Sequence, residues 1–159
     1  MPGQVKNQIV YYSMARIKVE LPEHFTFSTT IPVRITDINY GNHVGNDTIL
    51  SMIHEARVQY LKQLGYGELN LAGVGLIMSD VAIEFKSELF YGDEVLVSVA
   101  AGDLSKISFD LYYKLEKRSG DTTQLVAVAK TGMVCYDYNK KKVTAVPAEV
   151  VEKLKATSF

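Results

Sequence analysis

The chain has 159 residues, 47% of them hydrophobic and 22% charged, and a formal net charge of -1. That length suits one domain with a full hydrophobic core, and the even charge balance lacks the basic excess that nucleic acid demands. No window approaches the roughly 20 apolar residues of a membrane helix, so neither a nucleic-acid nor a membrane partner is expected.

Residues 1–13 are patternless, with no compact apolar core behind a basic segment, so no signal peptide is read. They form an expected N-terminal extension, and residues 14–159 a single domain. From Phe25 to Ile35 the β-branched and aromatic content predicts a strand. Pro32 removes one ladder donor and places an edge or a bulge there. Asp37 to Asn46, rich in Asn and Gly, reads as a loop.

A helix follows, because Ile49, Ile53, Ala56, Tyr60 and Leu64 recur at helical spacing. Asn46 is its expected N-cap, Asp47 suits the positive end of its dipole, and Gly65 stops it. Thr48, Ser51, Glu55, Gln59 and Lys62 form a polar stripe, and the other faces are apolar, as in a helix mostly wrapped by other structure.

Beyond a Gly-rich link (Gly67 to Gly75), strands are predicted near 76–86, 94–104, 106–117 and 123–138. A short turn at Tyr91-Gly92-Asp93 joins the first two of these, and Gly120-Asp121 marks the next hairpin. The basic runs Lys114 to Arg118 and Lys140 to Lys142 read as solvated strand ends or turns. Cys135 has no second cysteine to pair with, which fits a reducing cytoplasm. Its place in a strand-like run makes it a buried structural thiol rather than a nucleophile. Pro147 to Lys155 looks like a short terminal helix. One long helix followed by antiparallel strands gives an α+β layout with the helix packed on one sheet.

This order, with Arg34-x-x-Asp37-x-Asn39-x-x-x-His43-Val44-x-Asn46 and Glu55-Ala56-Arg57, resembles the hot-dog-fold acyl-CoA thioesterase superfamily. The nearest branch is that of hydroxybenzoyl-CoA thioesterase and the YbgC-like acyl-CoA thioesterases, over roughly residues 25 to 145. The resemblance implies an antiparallel β-sheet wrapped around one long central α-helix. It further implies a homodimer or homotetramer with sites between protomers and an acyl-CoA or related thioester substrate. No cofactor is expected.

Thioester hydrolysis needs an oxyanion site and a group that activates water. In the family pattern the polarising N–H lies at the helix start, at or next to Asn46, where Gly45 admits a close approach. Gly45 and Asn46 could equally do no more than cap the helix. The family loop usually carries a second aspartate, the catalytic one, where this chain has Asn39. A related branch uses a helical glutamate whose place falls at His54, next to Glu55. Asn39 cannot act as a base, though its amide can orient a carbonyl or a water.

The base therefore falls to Asp37, His43 or His54. Each has a structural alternative: Asp37 as a loop brace, His43 as a hydrogen-bonded spacer, His54 as a satisfied core histidine. Arg57 reads as a partner for Asp37 or Glu55. Asp47, a helix-start charge, remains a reserve carboxylate within reach of substrate. His43, Asp47 and His54 lack a compact metal-ligand spacing, so no metal is expected. The expected function is acyl-CoA hydrolysis. The alternatives are a non-hydrolytic acyl-thioester binding protein, which Asn39 favours, and a hot-dog dehydratase.

Overall fold

The computed structural model describes residues 15–156, so the N-terminal extension expected over residues 1–13 lies outside the described residues. The elements run β1 (Phe27–Pro32), α1 (Asn46–Gln63), β2 (Gly75–Phe85), β3 (Glu94–Gly102), β4 (Ser108–Ser119), β5 (Thr122–Asp137), β6 (Lys142–Val143) and α2 (Ala148–Ala156). The strands form one antiparallel sheet in the order β1-β3-β4-β5-β2, with β6 pairing β5.

Pro32 closes β1 opposite Glu94, on an edge strand where its missing N–H costs nothing. The strand is shorter than its β-branched content suggests, because Val33 turns to donate to the carbonyl of Asp93 instead. β4 starts late for a similar reason: Ser105 Oγ accepts the N–H groups of Ile107 and Ser108 and holds them in a turn. Gly120 and Asp121 do form the two-residue loop of the β4–β5 hairpin, between paired Ser119 and Thr122. The turn at Tyr91-Gly92-Asp93 is different. It joins β2 to β3, which are not neighbours, and its backbone bonds to the end of β1.

α1 lies on one face of the sheet. Ile49, Met52, Ile53, Ala56, Tyr60 and Leu61 are buried along it, against Val95, Val97 and Val99 of β3 and Leu111, Tyr113 and Leu115 of β4. Each Val, Leu, Ile or Met among them contributes about 1.5–3 kcal/mol when fully buried. The expected wrapping is complete only on the sheet side. Asp47, Ser51, His54, Glu55, Val58 and Lys62 form an exposed strip on the other. Gly65, at φ +86°, follows the helix as the left-handed stop expected of it. α2 seals one end of the core with Val150 and Leu154. No helix of the described residues is long and apolar enough to cross a membrane.

Candidate active site

The loop between β1 and α1 is fixed by its own polar side chains. Asp37 Oδ2 accepts the backbone N–H of Arg34 at 2.8 Å, and Oδ1 accepts its guanidinium at 3.2 Å. Burial pushes the Asp37 carboxyl up, but these bonds outweigh it and hold the group below its ordinary range. Further on, Asn39 Oδ1 accepts the N–H of Gly41 at 2.8 Å, and Asn39 N–H donates to the carbonyl of His43. Asn42 takes the left-handed conformation, φ +63°, that lets the loop double back.

The loop ends at the first turn of α1, and here one sequence expectation is corrected. The N-cap is Gly45, not Asn46, with no side-chain cap bond. Thr48 and Ile49 both bond back to the Gly45 carbonyl. The N–H groups of Asn46 and Asp47 come before the first intrahelical bond and stay available at the positive end of the dipole. Gly45 is closely approached by side chains: a Cβ there falls 2.4 Å from Asp47 Oδ1, which would have to move, and 3.5 Å from Asn39 Nδ2. The Asn39 amide and the Asp47 carboxylate thus both flank the helix start.

His43 stands beside it. A Cβ on Gly41 lies 3.0 Å from His43 Nε2 and 3.1 Å from Asn39 Oδ1, so both side chains border the same small space. His43 Nδ1 is 3.0 Å from the carbonyl of Val44. A carbonyl only accepts, so Nδ1 carries the proton and the neutral ring keeps its lone pair on Nε2. Nε2 faces a cleft of about 280 Å³ lined by His43, Asn46, Ile49 and the segment Phe85 to Leu89. Glu88 Oε1 lies 3.8 Å from it. Lys86, also on this cleft, is 3.0 Å from Glu84.

The other candidates lie elsewhere. Asp37 borders a second cleft on the opposite flank of α1, beside Arg34, Ser51, Glu55 and Gln59. His54 is not the core histidine that one reading allowed. Its side chain is 55% exposed, two turns along α1, with Nε2 2.9 Å from Glu68 Oε2. Arg57 pairs with neither Asp37 nor Glu55: its Nε donates to Glu68 Oε1 at 2.6 Å.

The profile of the Thioesterase-like superfamily matches residues 33–154, most of the chain. The chain belongs to the thioesterase-like superfamily. A protein of Aquifex aeolicus (strain VF5), provisionally described as an esterase, is 29% identical over 103 residues, 64% of this chain and 76% of that protein. A 1,4-dihydroxy-2-naphthoyl-CoA thioesterase from Synechocystis superposes with a TM-score of 0.73 at 23% identity, covering 81% of this chain and 95% of its own. A gentisyl-coenzyme A thioesterase gives 0.71 at 19% identity, covering 80% and 99%. These similarities establish the hot-dog fold.

Within this thioesterase-like frame the sequence reading missed Glu68. Its carboxylate bonds both His54 and Arg57, and these bonds hold it below the ordinary carboxylate range although burial pushes it up. The available signal was compositional. Glu68 is the one charged residue between Gly65 and Val74, and a lone charge in a Gly-rich link has a partner elsewhere.

Proposed function

We propose that the chain hydrolyses an acyl-CoA thioester at the start of α1. The observation that carries this reading is His43: Nδ1 donates to the Val44 carbonyl, and the basic Nε2 is left facing the cleft that Asn46 also lines. The thioester carbonyl takes the backbone N–H groups at Asn46 and Asp47, and the Asn39 amide orients it. His43 Nε2 removes a proton from water as its oxygen bonds to the carbonyl carbon. The oxyanion collapses, the C–S bond breaks, and the thiolate leaves with the proton that His43 returns. Asp37 serves as the brace of the loop, already committed to Arg34. Lys86 at the cleft rim suits a phosphate of the CoA moiety.

In this reading two copies associate along β2, a free sheet edge that exposes Met78, Val81 and Phe85. The homodimer or homotetramer would then complete the cleft. A second reading, an acyl-thioester binding protein without turnover, draws on Asn39 standing where a carboxylate is usual. A panel of aromatic and aliphatic acyl-CoAs with thiol detection separates the two. Turnover is expected, and His43→Ala should lower kcat by about 100-fold or more with the fold intact. Thermal stabilisation by acyl-CoA with no thiol released would replace the hydrolase with the binding protein.

A further inference from the structure

The backbone on both sides of Glu88, in the connection between β2 and β3, is tied to three other parts of the molecule. The N–H groups of Lys86 and Ser87 donate to the Val126 carbonyl of β5 at 2.8 and 3.2 Å, and Ser87 Oγ donates to the Leu125 carbonyl at 2.7 Å. Lys117 Nζ of β4 donates to the Glu88 carbonyl at 3.1 Å. The Leu89 carbonyl accepts the N–H of Val44, so the connection is bonded directly to the loop that carries His43. None of these bonds uses the Glu88 side chain. Among the described residues its carboxylate has one polar neighbour, His43 Nε2, 3.8 Å from Oε1 in the cleft that both residues line beside Asn46.

That separation is too long for a direct hydrogen bond, and a polar gap of this size is one that a water bridges. A water about 2.8 Å from each atom spans it with an angle of about 85° at its oxygen. The two O–H bonds of water open only slightly wider, so one can point at Nε2 and the other at Oε1. Both atoms accept: with its proton on Nδ1 the ring offers the Nε2 lone pair, and an ionised carboxylate is acceptor only. The lone pairs of the water are then left for a third group in the cleft.

We propose that Glu88 orients the attacking water at His43, supplying from the β2–β3 connection the carboxylate that Asn39 does not supply from the loop. This inference rests on the thioester-hydrolase reading above. In the step itself one water O–H bond breaks toward Nε2, the oxygen forms the C–O bond, and the carbonyl π pair moves onto the carbonyl oxygen. Glu88 accepts the second hydrogen throughout and exchanges no proton. Its charge also attracts the imidazolium that forms opposite it. The Glu88 side chain is 64% exposed, so solvent screens that attraction and the orientation of the water is the larger effect.

The test is a double-mutant cycle with His43, read as thiol release from benzoyl-CoA, hexanoyl-CoA and palmitoyl-CoA, on whichever wild-type protein hydrolyses fastest. Glu88→Gln keeps the shape but loses the charge, and its amide N–H competes for Nε2. It should lower kcat by about 10-fold with KM within about twofold of wild type. In the His43→Ala background the same change should cost less than about twofold, because no base is left for the water to serve. Glu88→Ala should recover part of its kcat with formate and none with chloride at equal ionic strength. A merely structural Glu88 would cost the same factor in both backgrounds and would not respond to formate.

A kcat of Glu88→Gln within about twofold of wild type, or a loss confined to KM, overturns the inference and leaves the hydrolase standing. So does an equal cost in both backgrounds. A loss in Glu88→Gln larger than in His43→Ala overturns it too, because Glu88 would then be the base itself. No hydrolysis of any of the three, nor of any other acyl-CoA, removes the hydrolase reading and this inference together.

Discussion

The two flanks of α1 carry clefts of nearly equal volume, about 290 Å³ toward β1 and about 280 Å³ on the side of the Phe85 to Leu89 segment. Their polar groups differ in kind. On the β1 flank Asp37 is bound to Arg34, Thr29 donates to Gln59, and Gln59 donates to Glu55. The protein has answered its own hydrogen bonds there. On the other flank the helix start has no side-chain cap, and among the described residues Nε2 of His43 has only Glu88, at 3.8 Å. Volume does not tell the two apart. Uncommitted donors and acceptors do, because a ligand gains little from groups that must first break good bonds.

The sharpest way to press this contrast is Gly45→Ala. The new methyl meets Asp47 Oδ1 at 2.4 Å, so the exposed Asp47 carboxylate must swing away from the helix start. That rearranges a charge beside the polarising N–H groups without moving the groups themselves, so kcat/KM should fall by up to about 10-fold. Adding Asp47→Ala, which removes the colliding atom, should recover part of that loss. If kinetics of the single variant match wild type, the tight fit at the helix start has no part in activity.

Asp37→Asn tests the opposite flank and should do less. Stability is expected to drop by about 1 kcal/mol in urea unfolding, as the loop loses a charged acceptor. Turnover should stay within about threefold, and a loss of 100-fold or more would return the role of base to Asp37.

Acid should produce the mildest difference. Asp37 and Glu68 both have folded-state pKa values below their ordinary 3.8 and 4.5. Their stabilisation is therefore complete above those ordinary values and drains away as pH falls through the depressed ones. Melting temperature followed by circular dichroism should decline below about pH 4.5. The decline should be shallower in Glu68→Gln than in Asp37→Asn, since the Glu68 partner Arg57 is buried and the Asp37 partner Arg34 is 73% exposed. Equal slopes would mean that the two pairs are screened alike.

Much of the fold was legible because its rules are local. The spacing of Ile49, Ile53, Ala56 and Tyr60 marks a helix whatever it packs on, and Gly65 ends it by backbone geometry alone. Strand order was not legible at Tyr91-Gly92-Asp93, where a turn signal says that the chain reverses but not which strand it meets. The cap was misplaced by one residue, because Asn46 is the better capping side chain while it is Gly45 that takes the extended backbone of the cap, φ -72° and ψ 156°. In the candidate site the loop residues could be named in advance, while Glu68 could not be matched to its partners. The chain must turn at Gly65 and fold back along α1 before Glu68 reaches Arg57 and His54.

The sheet order also decides when each part can form. β2 follows α1 directly, yet it pairs only with β5, Phe85 with Ala127 and Gly75 with Tyr136. On the ribosome it therefore waits about 40 to 60 residues for its single partner, a long-range closure of the kind that slows folding. The Glu68 loop waits with it, since the Glu68 carbonyl accepts the N–H of Leu76 next to the start of β2. The flank that carries His54 is thus assembled only once β5 has been made, and a chain stalled before β5 would hold β2 unpaired.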